Sequence, residues 1–233
     1  MTNASLVAAA VAARGLRKNG PSGPVFGPID LDVPAGGLTV LRGPAGSGRT
    51  CLLLTLAGRM KPKSGELSVF GKTTPKRIFK VASIGAVDDL DAVYDAVRVI
   101  DLVTEKLRWD APWYRVVGKR AQSVQNVCAP VWGPLPLPDP RAFVEDLSEL
   151  EVSLLRIALA NTRRTPLLVV GGVDQLSSVA DQRTLMQRLV ELGREQTVVC
   201  ATSNPVDDDL GIRTVVEVPN LAGNDLVHGE GTN

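Results

Sequence analysis

The stretch "GPAGSGRT", Gly43 to Thr50, stands between a short apolar run of β character, "LTVLR", and an apolar run of helical length, "CLLLTLAG". A buried strand that turns through glycines straight into a helix fits few architectures. It belongs to sheets flanked by helices. Gly43, Gly48 and Thr50 match the pattern G-x-x-x-x-G-K-[ST], and Arg49 stands where the lysine would be. In such a loop consecutive backbone N–H groups point inward and bind phosphate oxygens, and the helix N-terminus behind them adds its dipole. Lysine reaches the terminal phosphates, and Ser or Thr offers a hydroxyl to Mg²⁺. Arg49 keeps the charge, but a flat guanidinium fork does not sit as a compact ammonium does. Taken alone, the stretch is also compatible with a glycine-rich turn that binds nothing.

The rest of the chain supplies the order of elements. Two strands are expected early, in "LVAAAVAARGL" and in "GPIDLDVPAG", where Ile29, Leu31 and Val33 alternate. "GLTVLRG" reads as a short buried strand, followed after the loop by a helix from Thr50 to Met60, then by a turn and strand in "KPKSGELSVFGK". Residues 72–146 differ in composition: Trp109, Trp113, Trp132, Tyr94 and Tyr114 all fall there. "DAVYDAVRVIDLVTEKLRW" has helical spacing, whereas the prolines of "APVWGPLPLPDPR" argue against a helix or a central strand. This segment is expected to form a helical subdomain inserted in the core. Beyond it, "DLSELEVSLLRIALANTRR" reads as a helix capped by Ser148 with Glu151 three residues on. "PLLVV", "TVVCATS" and "RTVVEV" read as strands, and "SSVADQRTLMQRLVELGRE" as a helix. Strand–helix alternation predicts an α/β fold with a mostly parallel sheet over one domain, residues 1–233.

The surroundings of the loop narrow this further. "FGPIDLDVPAGGLTVLRGPAGSGRTCLLLTLAGRMKPKSGELSVFG", Phe26 to Gly71, closely resembles the start of an ATP-binding cassette domain, the nucleotide-binding subunit of ABC transporters. The resemblance implies a P-loop NTPase fold of ABC type, with an N-terminal antiparallel β part and the inserted helical subdomain at 72–146. It implies ATP as ligand, held by Gly43, Pro44, Ala45, Gly46, Ser47, Gly48, Arg49, Thr50 and Cys51, with Thr50 a weak ligand to Mg²⁺. "LSELE" (Leu147, Ser148, Glu149, Leu150 and Glu151) sits where the family carries its LSGGQ signature. Counting on without gaps places the Walker B aspartate at Gly171, the catalytic glutamate at Gly172 and the switch histidine at Ser203.

Those positions are departures from the family pattern, and each removes a physical function. Glycine at 171 cannot hold Mg²⁺, glycine at 172 cannot polarise water, and Ser203 brings no imidazole to the γ-phosphate. Glu149 and Leu150 replace glycines that would let backbone approach the phosphate of an opposing subunit. Asn19 stands where the family stacks an aromatic, and Asp88 or Asp89 lies near the place of its glutamine. For Asp174, three residues past Gly171, the alternatives are a replacement for the lost carboxylate and a loop or cap residue; its place beyond the strand end favours the second. Phosphoryl transfer depends on positioning and charge neutralisation, so hydrolysis is expected to be weak or absent.

Composition limits the partners. Lys and Arg total 26 against 25 Asp and Glu, which gives no reason to expect nucleic acid. Cys51, Cys128 and Cys200 are widely spaced and read as reduced thiols, and the lone histidine, His228, lies in a polar tail. The N-terminal stretch reads as a first strand rather than a leader, and no apolar run reaches the length of a membrane span. The resemblance therefore implies a separate transmembrane permease as partner, a homo- or heterodimer of ATP-binding subunits, and a peripheral place at the cytoplasmic face of the cell membrane. Trp109, Trp113, Tyr114 and Trp132 are the expected docking aromatics. The alternatives are a pseudo-ATPase that regulates or assembles a membrane complex, and a soluble P-loop protein unconnected with transport.

Overall fold

Alternating burial sets up the first layer of the computed structural model, which describes residues 9–21, 23–87, 96–114 and 117–219. Strands β1 (Ala9–Gly20) and β2 (Gly23–Pro34) pair antiparallel, with Val11 opposite Val33, Ala13 opposite Leu31 and Leu16 opposite Ile29. Along β2, Ile29, Leu31 and Val33 are buried while Asp30 and Asp32 face water, the period of two expected for a half-covered sheet. Strand β3 (Gly37–Arg42) buries Leu38 through Leu41 without alternation, as a strand covered on both faces must. The glycine-rich loop then leads into α1 (Arg49–Leu56), shorter than the stretch expected to reach Met60. Strand β4 (Ser64–Val69) returns to β1 and completes a three-stranded antiparallel sheet in the order β2-β1-β4.

A single turn, α2 (Pro75–Ile78), leads to β5 (Ala82–Gly85). Helices α3 (Val99–Asp110), α4 (Ala121–Trp132) and α5 (Glu149–Ala160) follow. Then come β6 (Leu167–Gly172), α6 (Val179–Leu192), β7 (Thr197–Thr202) and β8 (Thr214–Glu217). The second sheet is wholly parallel, in the order β5-β6-β7-β3-β8. One face packs with Leu52, Leu53 and Leu56 of α1 and with β2; the other packs with Leu154 and Leu155 of α5 and Leu185 and Leu189 of α6. Because β3, β6 and β7 are adjacent and parallel, their C-terminal ends open on one edge, where ligands bind in sheets of this kind.

Three expectations about residues 72–146 change. Strand β5 lies inside that segment yet pairs with β6 in the main sheet, so among the described residues the segment is not wholly helical: the short α2 precedes β5 and the longer helices follow from Val99. The proline-rich stretch is not wholly irregular, since α4 runs through Pro130 to Trp132. Pro130 falls in the last turn, where the helix is about to end anyway, and Val131 and Trp132 gain burial by staying helical. Trp132, expected at a docking surface, is completely buried in the core, whereas Trp109, Trp113 and Tyr114 are 79%, 96% and 74% exposed. Tyr94, Asp88, Asp89 and His228 lie outside the described residues.

Candidate functional site

The loop between β3 and α1 has a shape that side chains would block. Gly46 and Gly48 take φ values of +81° and +78°, and a Cβ on Gly48 would lie 2.2 Å from the Val25 carbonyl oxygen. Both conformation and space therefore demand glycine at 48. Gly48 is also the N-cap of α1 and offers no capping side chain. Among the described residues, the amides of Gly46, Gly48, Arg49, Thr50 and Cys51 find no acceptor. A helix start with unpartnered amides is a seat for an anion. Pro44 and Ala45 form the exposed tip, and the root is tied to β7 by the Gly43 amide donating to the Thr202 carbonyl at 3.2 Å. Ser47 is buried with an unpartnered hydroxyl, Thr50 is exposed, and Cys51 is half-buried. The loop fits a phosphate chain. For Mg²⁺ it offers Thr50 without a carboxylate at position 171.

Main-chain crowding leaves no room for a side chain at position 171. A Cβ on Gly171 would lie 1.8 Å from the Ala86 carbonyl oxygen and 2.7 Å from its carbon. Ala86, at φ +53°, turns the chain out of β5 across the end of β6. Strand β6 also slips register against β7 between Val169 and Gly172, an irregularity of the bulge type. The slip restores no acid, because Gly172 is equally without a side chain.

Asp174, which the sequence favours as a loop or cap residue, contacts both the loop and the end of β7. It lies in the turn Val173–Gln175 that follows β6, and its Oδ2 accepts from three groups. Both terminal nitrogens of Arg49 lie 3.4 Å away, the Ser203 amide donates at 2.9 Å, and the Ser203 hydroxyl donates across a short contact. Burial pushes the Asp174 carboxyl up, but the Ser203 hydroxyl and amide and the Arg49 charge together outweigh it and hold the group below its ordinary value. The structure thus joins Arg49 of the loop to Ser203 at the end of β7 through the Asp174 carboxylate. The clue in the sequence was an acid just past a strand expected to neighbour both.

The signature-like segment differs from expectation in its side chains. Ser148 caps α5, accepting from the Glu151 amide at 3.3 Å, while its own hydroxyl donates to Glu151 Oε2 at 2.8 Å. Leu147 and Leu150 are partly buried and pack against the core. Glu149 is held within its own chain, taking the Ser177 amide at 2.9 Å and hydroxyl at 3.0 Å. Those bonds hold its carboxyl below the ordinary range. Asn19 is exposed near the end of β1. The described residues contain no cluster of potential metal ligands, and Cys51, Cys128 and Cys200 are free thiols. Burial raises the thiols of Cys128 and Cys200 to about 12.

Residues 26–190 match the protein-family model described as ABC transporter. This chain belongs to the ABC transporter family. Its parallel sheet, antiparallel β part and phosphate loop are those of an ABC cassette, as expected from Phe26 to Gly71. The aliphatic sulfonates import ATP-binding protein SsuB 3 of Rhodococcus jostii is 31% identical over 189 residues, 74% of this chain and 69% of that protein. SsuB 1 of Nocardia farcinica is 29% identical over 195 residues, 77% of this chain and 78% of that protein. Among solved structures, cbiO1 from Clostridium perfringens, part of the ABC transporter complex cbiONQ, has a TM-score of 0.71 at 17% identity. That likeness covers 90% of this chain and 84% of cbiO1. A dimeric ATP-binding cassette bound to ADP and Pi has a TM-score of 0.70 at 18% identity, covering 89% of this chain and 94% of that one. At these identities the structures establish the ABC fold. Among the described residues, no helix is long and apolar enough to cross a membrane.

Proposed function

We propose that this chain is the ATP-binding subunit of an ABC-type membrane transporter, and that it holds ATP in the 43–51 loop while hydrolysing it very weakly or not at all. One observation supports the reading: β6 and β7 end beside β3, the strand that leads into the loop, and the positions there that the resemblance assigns to two carboxylates and an imidazole are Gly171, Gly172 and Ser203. The loop's backbone supports binding, and nothing at those three positions supplies a base or a metal-holding acid. Phosphate release from Mg²⁺-ATP by the purified chain is expected to be at least about 1,000-fold slower than in a family member with both carboxylates, since one general base alone is worth that much. Arg49→Lys should not rescue it, and Mg²⁺ should add little to ATP affinity. Robust turnover that Thr50→Ala abolishes would overturn the reading.

The partner in this reading is a separate permease, seated in a groove of about 460 Å³ between the start of β5, the end of α3 and the end of α5. Phe79 and Trp109 line it with Arg59, Lys106, Asp110 and Arg163. Lys106 is matched by Asp110 at 2.8 Å, but Arg59 lies over the Phe79 ring, and burial together with the charge of Arg163 presses its guanidinium below the ordinary value. Such a groove suits a cytoplasmic segment that brings both an aromatic or aliphatic face and an acid. Trp109→Ala is expected to weaken co-purification with the permease by about 2 kcal/mol, the scale of an interface anchor. Its melting temperature should stay near that of the wild type. Undiminished co-purification of Trp109→Ala would remove the groove from the docking surface. A regulatory or assembly subunit without turnover is the second reading, favoured by the engagement of Arg49 with Asp174.

A further inference from the structure

The cation that replaces the loop lysine is already engaged. Arg49 and Asp174 retain only 13% and 15% side-chain exposure, so their attraction is less screened than that of a surface pair. The 3.4 Å separations are longer than the 2.7–2.9 Å of a strong charge-assisted bond. Asp174 is positioned chiefly by Ser203, whose amide and hydroxyl both donate to Oδ2. The carboxylate therefore has two bonds that hold it when Arg49 leaves, whereas among the described residues the side-chain bonds of Arg49 both go to Asp174. Gly172 provides the room, since a Cβ there would lie 2.7 Å from Asp174 Oδ1.

We infer that Asp174 is a built-in competitor for the terminal phosphates of a nucleotide: its carboxylate occupies Arg49 from within the chain, and ATP must draw the guanidinium away from it. This rests on the nucleotide-binding reading above. A phosphate brought to Arg49 meets a second anion fixed beside it, and like charges juxtaposed in a partly buried site oppose binding. The same carboxylate is poorly disposed to replace the lost Walker B acid. Its Oδ2 is surrounded by two guanidinium nitrogens, an amide and a hydroxyl, a shell of donors that suits an anion at rest rather than one reaching for a metal.

Calorimetric titration of the purified chain with ATP, in the presence of a chelator and again with Mg²⁺, tests this against Asp174→Asn. The asparagine keeps the size of the side chain and an oxygen for Ser203 but removes the charge. Asp174→Asn is expected to bind metal-free ATP about tenfold more tightly than the wild type, within the range of coupled sites. Ser203→Ala, which loosens Asp174 without removing it, should give a smaller gain. AMP, which lacks the phosphates that a cation at position 49 reaches, should show no change. A damaged fold does not produce tighter binding, and melting curves of each variant verify that it is folded. Equal ATP affinity in wild type and Asp174→Asn overturns the competition and leaves nucleotide binding intact. Weaker binding by Asp174→Asn with Mg²⁺ alone overturns it in favour of a metal-holding carboxylate. Failure of folded wild type and Asp174→Asn to bind either ATP or inorganic tripolyphosphate overturns the nucleotide-binding reading and the competition together.

Discussion

Gly171→Asp, which puts an acid where the family resemblance assigns the metal-holding aspartate, is expected to destabilise this protein rather than revive it. The obstacle is the first carbon of any side chain, which would lie 1.8 Å from the Ala86 carbonyl oxygen. Neither atom is the end of a flexible side chain, so β5, β6 or the turn between β5 and the next segment must shift. Relieving such a clash costs about 3 kcal/mol or more, at the upper end for overpacking. For a chain of this size that is a fall of about 6–12 °C in melting temperature. Thermal denaturation of Gly171→Asp and Gly171→Ala separates space from charge, since alanine alone should reproduce most of the loss. A Gly171→Asp protein that melts with the wild type and binds Mg²⁺-ATP tightly would show that the Ala86 turn yields easily, and the explanation would fail.

Trp132→Ala should be comparably damaging, and for a different reason. Trp132 is completely buried among Val99, Val103, Val124, Cys128 and Val131 in the cluster beneath α3, α4 and α5. Emptying such a site typically costs about 3–5 kcal/mol. Trp113→Ala, at 96% exposure, should change stability by less than about 0.5 kcal/mol. Chemical denaturation of the two variants side by side checks this; similar midpoints would mean that the Trp132 pocket collapses around the smaller side chain.

The sequence made the fold legible because its local signals agree with one another. Alternation of Ile29, Leu31 and Val33, the unbroken apolar run of β3 and the Ser148–Glu151 capping box each point to one local structure, and each is found. Composition was a poorer guide. Trp132 and Trp113 are the same residue type in the same segment, and only three-dimensional packing sends one to the core and the other to solvent. The same limit applied at the site. Counting residues assigns Gly171 and Ser203 to family positions, but the contact of Gly171 with Ala86 depends on backbone just past β5, far away in the chain. In the sequence Asp174 stands past the strand end, where it matches no motif and reads more readily as a loop or cap residue than as a replacement acid. Its role comes from a turn that folds it back onto Arg49 and Ser203.

The turn after β6 is fastened at both ends. At one end Asp174 is bound to Arg49 and Ser203; three residues later Ser177 is bound through amide and hydroxyl to Glu149, the first residue of α5. Three residues span at most about 10 Å, so the segment has little slack to absorb a shift. Whatever displaces Asp174 therefore pulls on the start of α5, and whatever moves α5 tugs on the residue that occupies Arg49. The residue beside the phosphate loop and the first turn of α5 are thus joined by a tether too short to go loose.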